Sequence, residues 1–231
     1  MENLISYNTQ DKILLAVDCI IFGFDQEELK ILLIKRDFDP ERGRWSLMGG
    51  FLHNQETLDE AAIRVLTKLT GIRNIYMEQL PAFSKSDRDP VERTISVPYY
   101  ALINIMEHSE ELIEEYSAKW FSLRNFPQLI FDHNAMVEKA IKRLRSRAST
   151  MPIGFELLPE KFTMRQLRKL YEAIWDENLD KRNFTNKVNA MDILVKLEEK
   201  EMETSKKGSY LFTFDKNKYD IKINEGFQFK L

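Results

Sequence analysis

An α+β chain of two domains, residues 1–150 and 151–231, is what three features of the sequence predict. Apolar runs of strand length, rich in β-branched and aromatic residues, alternate with amphipathic stretches through the first part. A segment punctuated by Pro152, Gly154 and Pro159 then separates two helical patterns. Beyond it, two more helical stretches lead into strand-like runs, and 231 residues suffice for two separate cores.

Composition narrows the class. With 43% hydrophobic and 31% charged residues the chain reads as a soluble globular protein, and no apolar run approaches bilayer-spanning length. The first residues, MENLISYNTQDK, lack the basic start and long apolar core of a secretory signal. Cys19 is the single cysteine, so no internal disulfide is possible, and its apolar setting marks it as a small buried hydrophobe. A cytoplasmic location is expected. The net charge of -3 argues against indiscriminate coating of nucleic acid but leaves room for a local basic surface. That surface belongs in the less acidic C-terminal part, where 15 Lys plus Arg face 14 Asp plus Glu from Met151 onward.

In order, residues 13–24 (ILLAVDCIIFGF) and 29–35 (LKILLIK) read as paired strands joined by a turn at 25–28. The charged segment 36–44, with Pro40, reads as a loop entering WSLMGGFL. Residues 75–83 and 94–105 read as strands flanking SKSDRDPVER. Asp132 is placed to cap a helix running to about Arg147, with His133 in its first turn in a packing or capping role.

Past the junction at 151–162, Thr163 caps a helix in which Leu167, Leu170, Tyr171 and Ile174 recur at helical spacing. A second amphipathic helix is expected over 181–202, polar at its start and apolar after. Residues 210–214 and 219–229 read as two strands joined by the polar turn 215–218. Helix, turn, helix and β-hairpin make a winged helix-turn-helix. A recognition helix places its N-terminal part in the major groove, so Lys181, Arg182, Asn183, Thr185, Asn186 and Lys187 are candidate DNA contacts, with Lys206 and Lys207 near the wing.

The most specific pattern lies in residues 50–72, GFLHNQETLDEAAIRVLTKLTGI. Gly50, Glu56, Arg64, Leu66, Gly71 and Ile72 fall in the register G-x5-E-x7-R-E-U-x-E-E-x-G-U, where U is a bulky aliphatic. This resembles the Nudix box, and the resemblance implies a Nudix fold, a mixed sheet sandwiched by helices, for the first domain. Where that box has three clustered glutamates, however, this chain has Val65, Lys68 and Leu69. Their i, i+3, i+4 spacing puts them on one helix face, and two apolar groups and an ammonium offer no oxygen to a hard cation. No metal, cofactor or catalytic residue is therefore expected. Without the resemblance, Leu58, Ala61, Ala62, Val65, Leu66 and Leu69 are simply a buried stripe.

DRDPVERTISVPYYAL, Trp120-Phe121, LIFDHNAMVEKAIKRLRSR and the R-N-F-x-N-K start at Arg182 extend the likeness to nearly the whole chain. They resemble the Nudix-related transcriptional regulators of the NrtR and AraR type, and overall likeness points to the arabinose-utilisation regulators of Bacteroidetes. That implies a repressor, homodimeric on a palindromic operator, released by an effector such as L-arabinose bound in an inactive Nudix domain. Arg36, Trp45, Ser46, His53 and Glu56 are the candidate effector contacts, being near the cleft in sequence. The alternatives are an ADP-ribose-responsive regulator of NAD metabolism, an active Nudix pyrophosphohydrolase whose tail only dimerises, and an enzyme-derived protein scaffold.

Overall fold

The computed structural model describes residues 10–71, 75–105, 117–202 and 207–231. Strand β1 (Leu14–Phe24) is the axis of the first domain. It pairs antiparallel with β2 (Leu29–Lys35) and with β4 (Met48–Phe51), and parallel with β6 (Thr94–Asn104). Short strands β3 (Trp45–Ser46), β5 (Tyr76–Gln79) and β7 (Ala118–Ser122) add to β2, β6 and β2 respectively, giving a mixed sheet of seven strands. The β1–β2 turn forms because the Asp25 carboxylate accepts the N–H groups of Glu27 and Glu28.

Strand alternation decides what each face of β1 buries. Val17, Cys19 and Ile21 meet helix α1 (Leu58–Thr70) through Ala61, Ala62, Val65 and Leu66. Ile20, Phe22 and Phe24 share the opposite cluster with Met136, Val137, Ala140 and Leu144 of α2 (His133–Thr150). Helix α1 starts with a capping box between Thr57 and Glu60 and stops at Gly71 in the left-handed conformation (φ 68°). Cys19 is fully buried, as expected, and burial pushes its thiol pKa far up.

A short 3-10 turn (Ile153–Leu157) and β8 (Phe162–Thr163) lead into the second domain. Helix α3 (Met164–Trp175) begins with a capping box between Thr163 and Gln166, and α4 (Lys181–Met191) is capped by Asp180. Strands β9 (Leu194–Glu201) and β10 (Ser209–Phe214) form a hairpin that β8 extends to three strands, and α5 (Lys216–Asn224) follows. The core crosses the junction without a break, from Ala148 through Ile153 and Leu157 to Leu170 and Tyr171.

Four expectations are corrected. The helix expected over 181–202 ends at Met191, where Asp192 takes a left-handed conformation (φ 53°) and the chain turns back as β9. The wing is therefore β9 with β10, and residues 216–224 are helical because the Asp215 side chain accepts the Lys218 N–H at their start. Asp132 stands at the start of α2 but makes no side-chain cap, because Arg88 holds its carboxylate. The strand expected over 75–83 is confined to Tyr76–Gln79, with one isolated bridge at Phe83.

Candidate functional site

A cavity of about 300 Å³ opens beside β1, β4 and the start of α2, with Asp18, Arg36, Ser46, Arg88, Phe131 and His133 in its wall. Its floor is a buried polar cluster. Asp18 accepts the Ser96 hydroxyl at 2.5 Å, and its other oxygen is 3.8 Å from His133 Nε2. Arg88 donates two bonds to Asp132, at 3.0 and 2.8 Å, and lies 3.9 Å from Asp18. Gly49, the β4 partner of Asp18, leaves room for that carboxylate, since a Cβ there would lie 2.4 Å from Asp18 Oδ1.

His133 is buried, and burial lowers its pKa, so the ring is neutral near pH 7. Its Nδ1 accepts the Leu47 N–H at 3.2 Å, which leaves the proton on Nε2, facing Asp18. The rim differs in chemistry. The Arg36 guanidinium lies 3.7 Å from the centroid of Phe38 and 5.4 Å from that of Phe131. Burial lowers the pKa of Arg36, against which the nearby carboxylates Asp89 and Asp18 act. Phe131 reaches this position from a backbone with φ 48°.

Of the five candidate effector contacts, Arg36 and Ser46 line this cavity. The other three do not. Trp45 packs edge-on against Phe121 with centroids 4.8 Å apart. His53 lies on the exposed loop before α1, where its N–H donates to Glu56 at 2.8 Å. Glu56 accepts two bonds from Arg64, at 2.9 and 2.5 Å, and these with the His53 N–H pull its pKa down to about 2. Val65 is buried beneath Gly50 and Lys68 is exposed, while the Leu69 side chain and Ile72 lie outside the described residues. Sequence proximity to the box does not point to Asp18, Arg88 or Phe131, and His133, expected in a packing or capping role, lines the cavity. One signal was available: an aspartate in the middle of the apolar run ILLAVDCIIF needs a buried partner.

The candidate DNA contacts on α4 divide among its faces. Phe184, Val188 and Met191 are buried. Arg182 and Asn186 fall opposite that stripe at helical spacing and are exposed. Lys181 and Thr185 line a groove toward the wing, together with Asn189. Asn183 and Lys187 line a different crevice, shared with Arg145, Trp175 and Leu231. Lys207 is exposed in the β9–β10 turn, and Lys206 lies outside the described residues.

The profile of the NUDIX domain matches residues 12–144, and that of the NrtR DNA-binding winged helix domain matches residues 154–214. The ADPR responsive transcriptional repressor NtrR of Acinetobacter baylyi is 31% identical over 212 residues, which span 90% of this chain and 84% of that protein. The chain belongs to the NrtR family of Nudix and winged-helix regulators. Shewanella oneidensis NrtR, in its crystal structure with a 27mer DNA, superposes with a TM-score of 0.78 at 29% identity, covering 87% of this chain and 93% of that one. The NUDIX domain of the same NrtR, solved with ADP ribose, is 30% identical with a TM-score of 0.50 and covers 61% of this chain and 94% of that one. This NrtR-family chain thus has the two-domain order expected from its sequence, Nudix fold first and winged helix second.

Proposed function

We propose that the chain is a transcriptional repressor that binds a palindromic operator as a homodimer and releases it when ADP-ribose occupies the cavity of the Nudix domain. The observation that carries the effector choice is the division of that cavity into a cationic and aromatic rim over a hydrogen-bonding floor. Arg36 with Phe38 and Phe131 suits a diphosphate and a base, while Asp18, Ser46 and His133 suit ribose hydroxyls. The Acinetobacter and Shewanella relatives named above support the same choice over a sugar alone.

We further propose that the domain binds without cleaving. The box positions held by Val65 and Lys68 supply no oxygen ligand, and the carboxylate of Glu56 is committed to Arg64. These residues do not fit a Nudix divalent cation. Release of AMP from ADP-ribose in the presence of magnesium, lost in Glu56→Gln, would overturn this part.

A second reading keeps L-arabinose as effector. It is favoured by the cavity's modest volume and by Asp18, Asp37 and Asp89 in its wall, which suit a neutral polyol and repel a diphosphate. Calorimetric titration of the full chain with ADP-ribose, AMP and L-arabinose separates the two. ADP-ribose is expected to bind and to weaken operator binding by roughly 5- to 150-fold, the range of ordinary allosteric coupling. Heat from L-arabinose and none from ADP-ribose would reverse the effector assignment.

A further inference from the structure

Residues 225–231 follow the last helix and run from the wing back to the first domain. Gly226 takes a positive φ of 90° that turns the chain off α5, and the Phe227 N–H donates to the Lys222 carbonyl. From there the chain forms neither helix nor strand, yet its burial alternates. Phe227 is half-buried, Gln228 exposed, Phe229 buried, Lys230 exposed and Leu231 half-buried. One side of the segment is therefore apolar. It lies on the core, with Phe229 in the cluster that holds Leu144 and Ala148 of α2 and Phe184 and Val188 of α4.

The segment is anchored at both ends. Before it, Lys218 and Lys222 of α5 pair with Asp192 at the end of α4, and Tyr219 packs against Phe214 of β10 and Phe227, with centroids 5.7 and 6.5 Å apart. At its finish the Leu231 N–H donates to the Ser149 carbonyl at 3.4 Å. That carbonyl is one of the last four of α2, which the helix itself leaves without a partner. Leu231 also lines the crevice between the domains, with Arg145, Trp175 and Phe184.

The second domain is thus fixed to α2 twice, at its entry by the turn Ile153–Leu157 and at its exit by this segment. A body attached at one point can swing about it as a hinge, and a second attachment on the same helix removes most of that freedom. We infer that residues 225–231 are a strap that makes the winged helix move as one body with α2. The Nudix domain then sets the position of α4 by shifting α2, and not by rearranging the helices around α4. The inference deepens the regulator reading above. Two ion pairs also tie α3 to the Nudix domain, Lys169 with Glu27 and Arg124 with Asp176, but Glu27 and Arg124 are 70% and 72% exposed. Such solvated pairs break at small cost, which lets α3 leave that side while the strap holds.

Nitroxide labels on Ser146→Cys of α2 and Glu198→Cys of β9, both exposed positions, report the distance from α2 to the wing in the full chain by pulsed dipolar electron resonance. Cys19 is fully buried and takes no label. The ligand-free labelled chain should give one narrow distance distribution. Phe229→Ala should broaden it. Leu231→Lys should broaden it too, by setting another cation into the crevice beside Arg145 and Lys187, and it decides the matter alone if Phe229→Ala fails to fold. A distribution already broad before substitution, or one that neither variant widens, overturns the strap. Saturating ADP-ribose should leave the α2-to-wing distance where it was; a shift would mean that the winged helix turns on α2 and would overturn the inference as well. Absence of ADP-ribose binding in calorimetry would overturn the effector reading alone, since the ligand-free distances decide the strap.

Discussion

Arg88 is the residue on which the cavity floor turns, and replacing it tests the account of that floor. Its side chain is 4% exposed and makes a two-bond pair with Asp132, whose side chain is 20% exposed. In Arg88→Met the stem volume is largely kept while the charge is lost. Breaking a buried pair by removing one partner costs about 3 to 5 kcal/mol. Two effects reduce this here. Asp132 is exposed enough to regain some water, and it already stands at the N-cap position of α2, where a freed carboxylate can accept an N–H and return about 1 kcal/mol. The net loss is about 2 to 4 kcal/mol, and for a chain of this size that lowers Tm by roughly 4 to 16 °C. Differential scanning calorimetry of wild type, Arg88→Met, Asp132→Ala and the double variant measures it. Asp132→Ala in the wild-type background leaves the arginine with only the longer contact to Asp18, whereas in Arg88→Met it removes only the recovered cap. The cycle should therefore show coupling of at least about 1.5 kcal/mol, within the range for residues in direct contact. Additive losses, or an unchanged Tm in Arg88→Met, would refute the reasoning.

Gly49→Ala should drive a Cβ to 2.4 Å from Asp18 Oδ1, a carboxylate already held by Ser96, and cost about 1 to 3 kcal/mol by overpacking; calorimetry measures the loss, and effector titration should show weakened binding. Tyr171→Phe should stabilise the chain by about 1 kcal/mol in urea denaturation, because among the described residues the buried Tyr171 hydroxyl meets no hydrogen-bond partner. His133 sets a pH dependence. Its folded pKa lies below the ordinary 6.5, so the unfolded chain binds more protons in that window, and the stability it contributes is full above about pH 6.5 and falls as pH drops toward the folded value. His133→Gln should flatten the acid side of a Tm-against-pH curve between pH 7 and 5 relative to wild type; an identical slope would contradict burial as the cause.

The first domain was legible because its signals are local. The turn at 25–28 and the box register that ends on Gly71 are each decided within a few residues. The wing was not, because KLEEKE favours a helix by composition and becomes a strand only through pairing with Ser209–Phe214. Residues 216–224 misled in the opposite sense. Their Tyr219, Ile221 and Ile223 alternate like a strand, yet the segment is a helix with no buried residue, held at its start by Asp215 and tied to Asp192 through Lys218 and Lys222. The cavity floor was hidden for a related reason. Ser96 with Asp18, and Arg88 with Asp132, are separated by 78 and 44 residues, distances that only a closed fold brings together.

The cavity and the recognition helix do not touch, so any influence of one on the other has to pass through an element that contacts both. Helix α2 is one such element. Its first residue, His133, is part of the cavity wall, and the residue before it, Asp132, is held by Arg88 of the same wall. Eighteen residues of α-helix span about 27 Å. Near its far end Arg145 donates to the Ile174 carbonyl at 2.8 Å, and the Trp175 indole donates back to the Arg145 carbonyl at 3.3 Å. These bonds fix the last turn of α3, after which Asp176 (φ 57°) reverses the chain toward α4. A second tether holds the same end of α3 to the Nudix domain through Arg124 and Asp176 at 2.6 Å. If an effector drew Arg88 away from Asp132, the charge and capping at one end of α2 would change, while the other end holds the helix that precedes α4. Contiguity makes α2 a candidate route, and coupling requires that an effector alter the balance between its two ends.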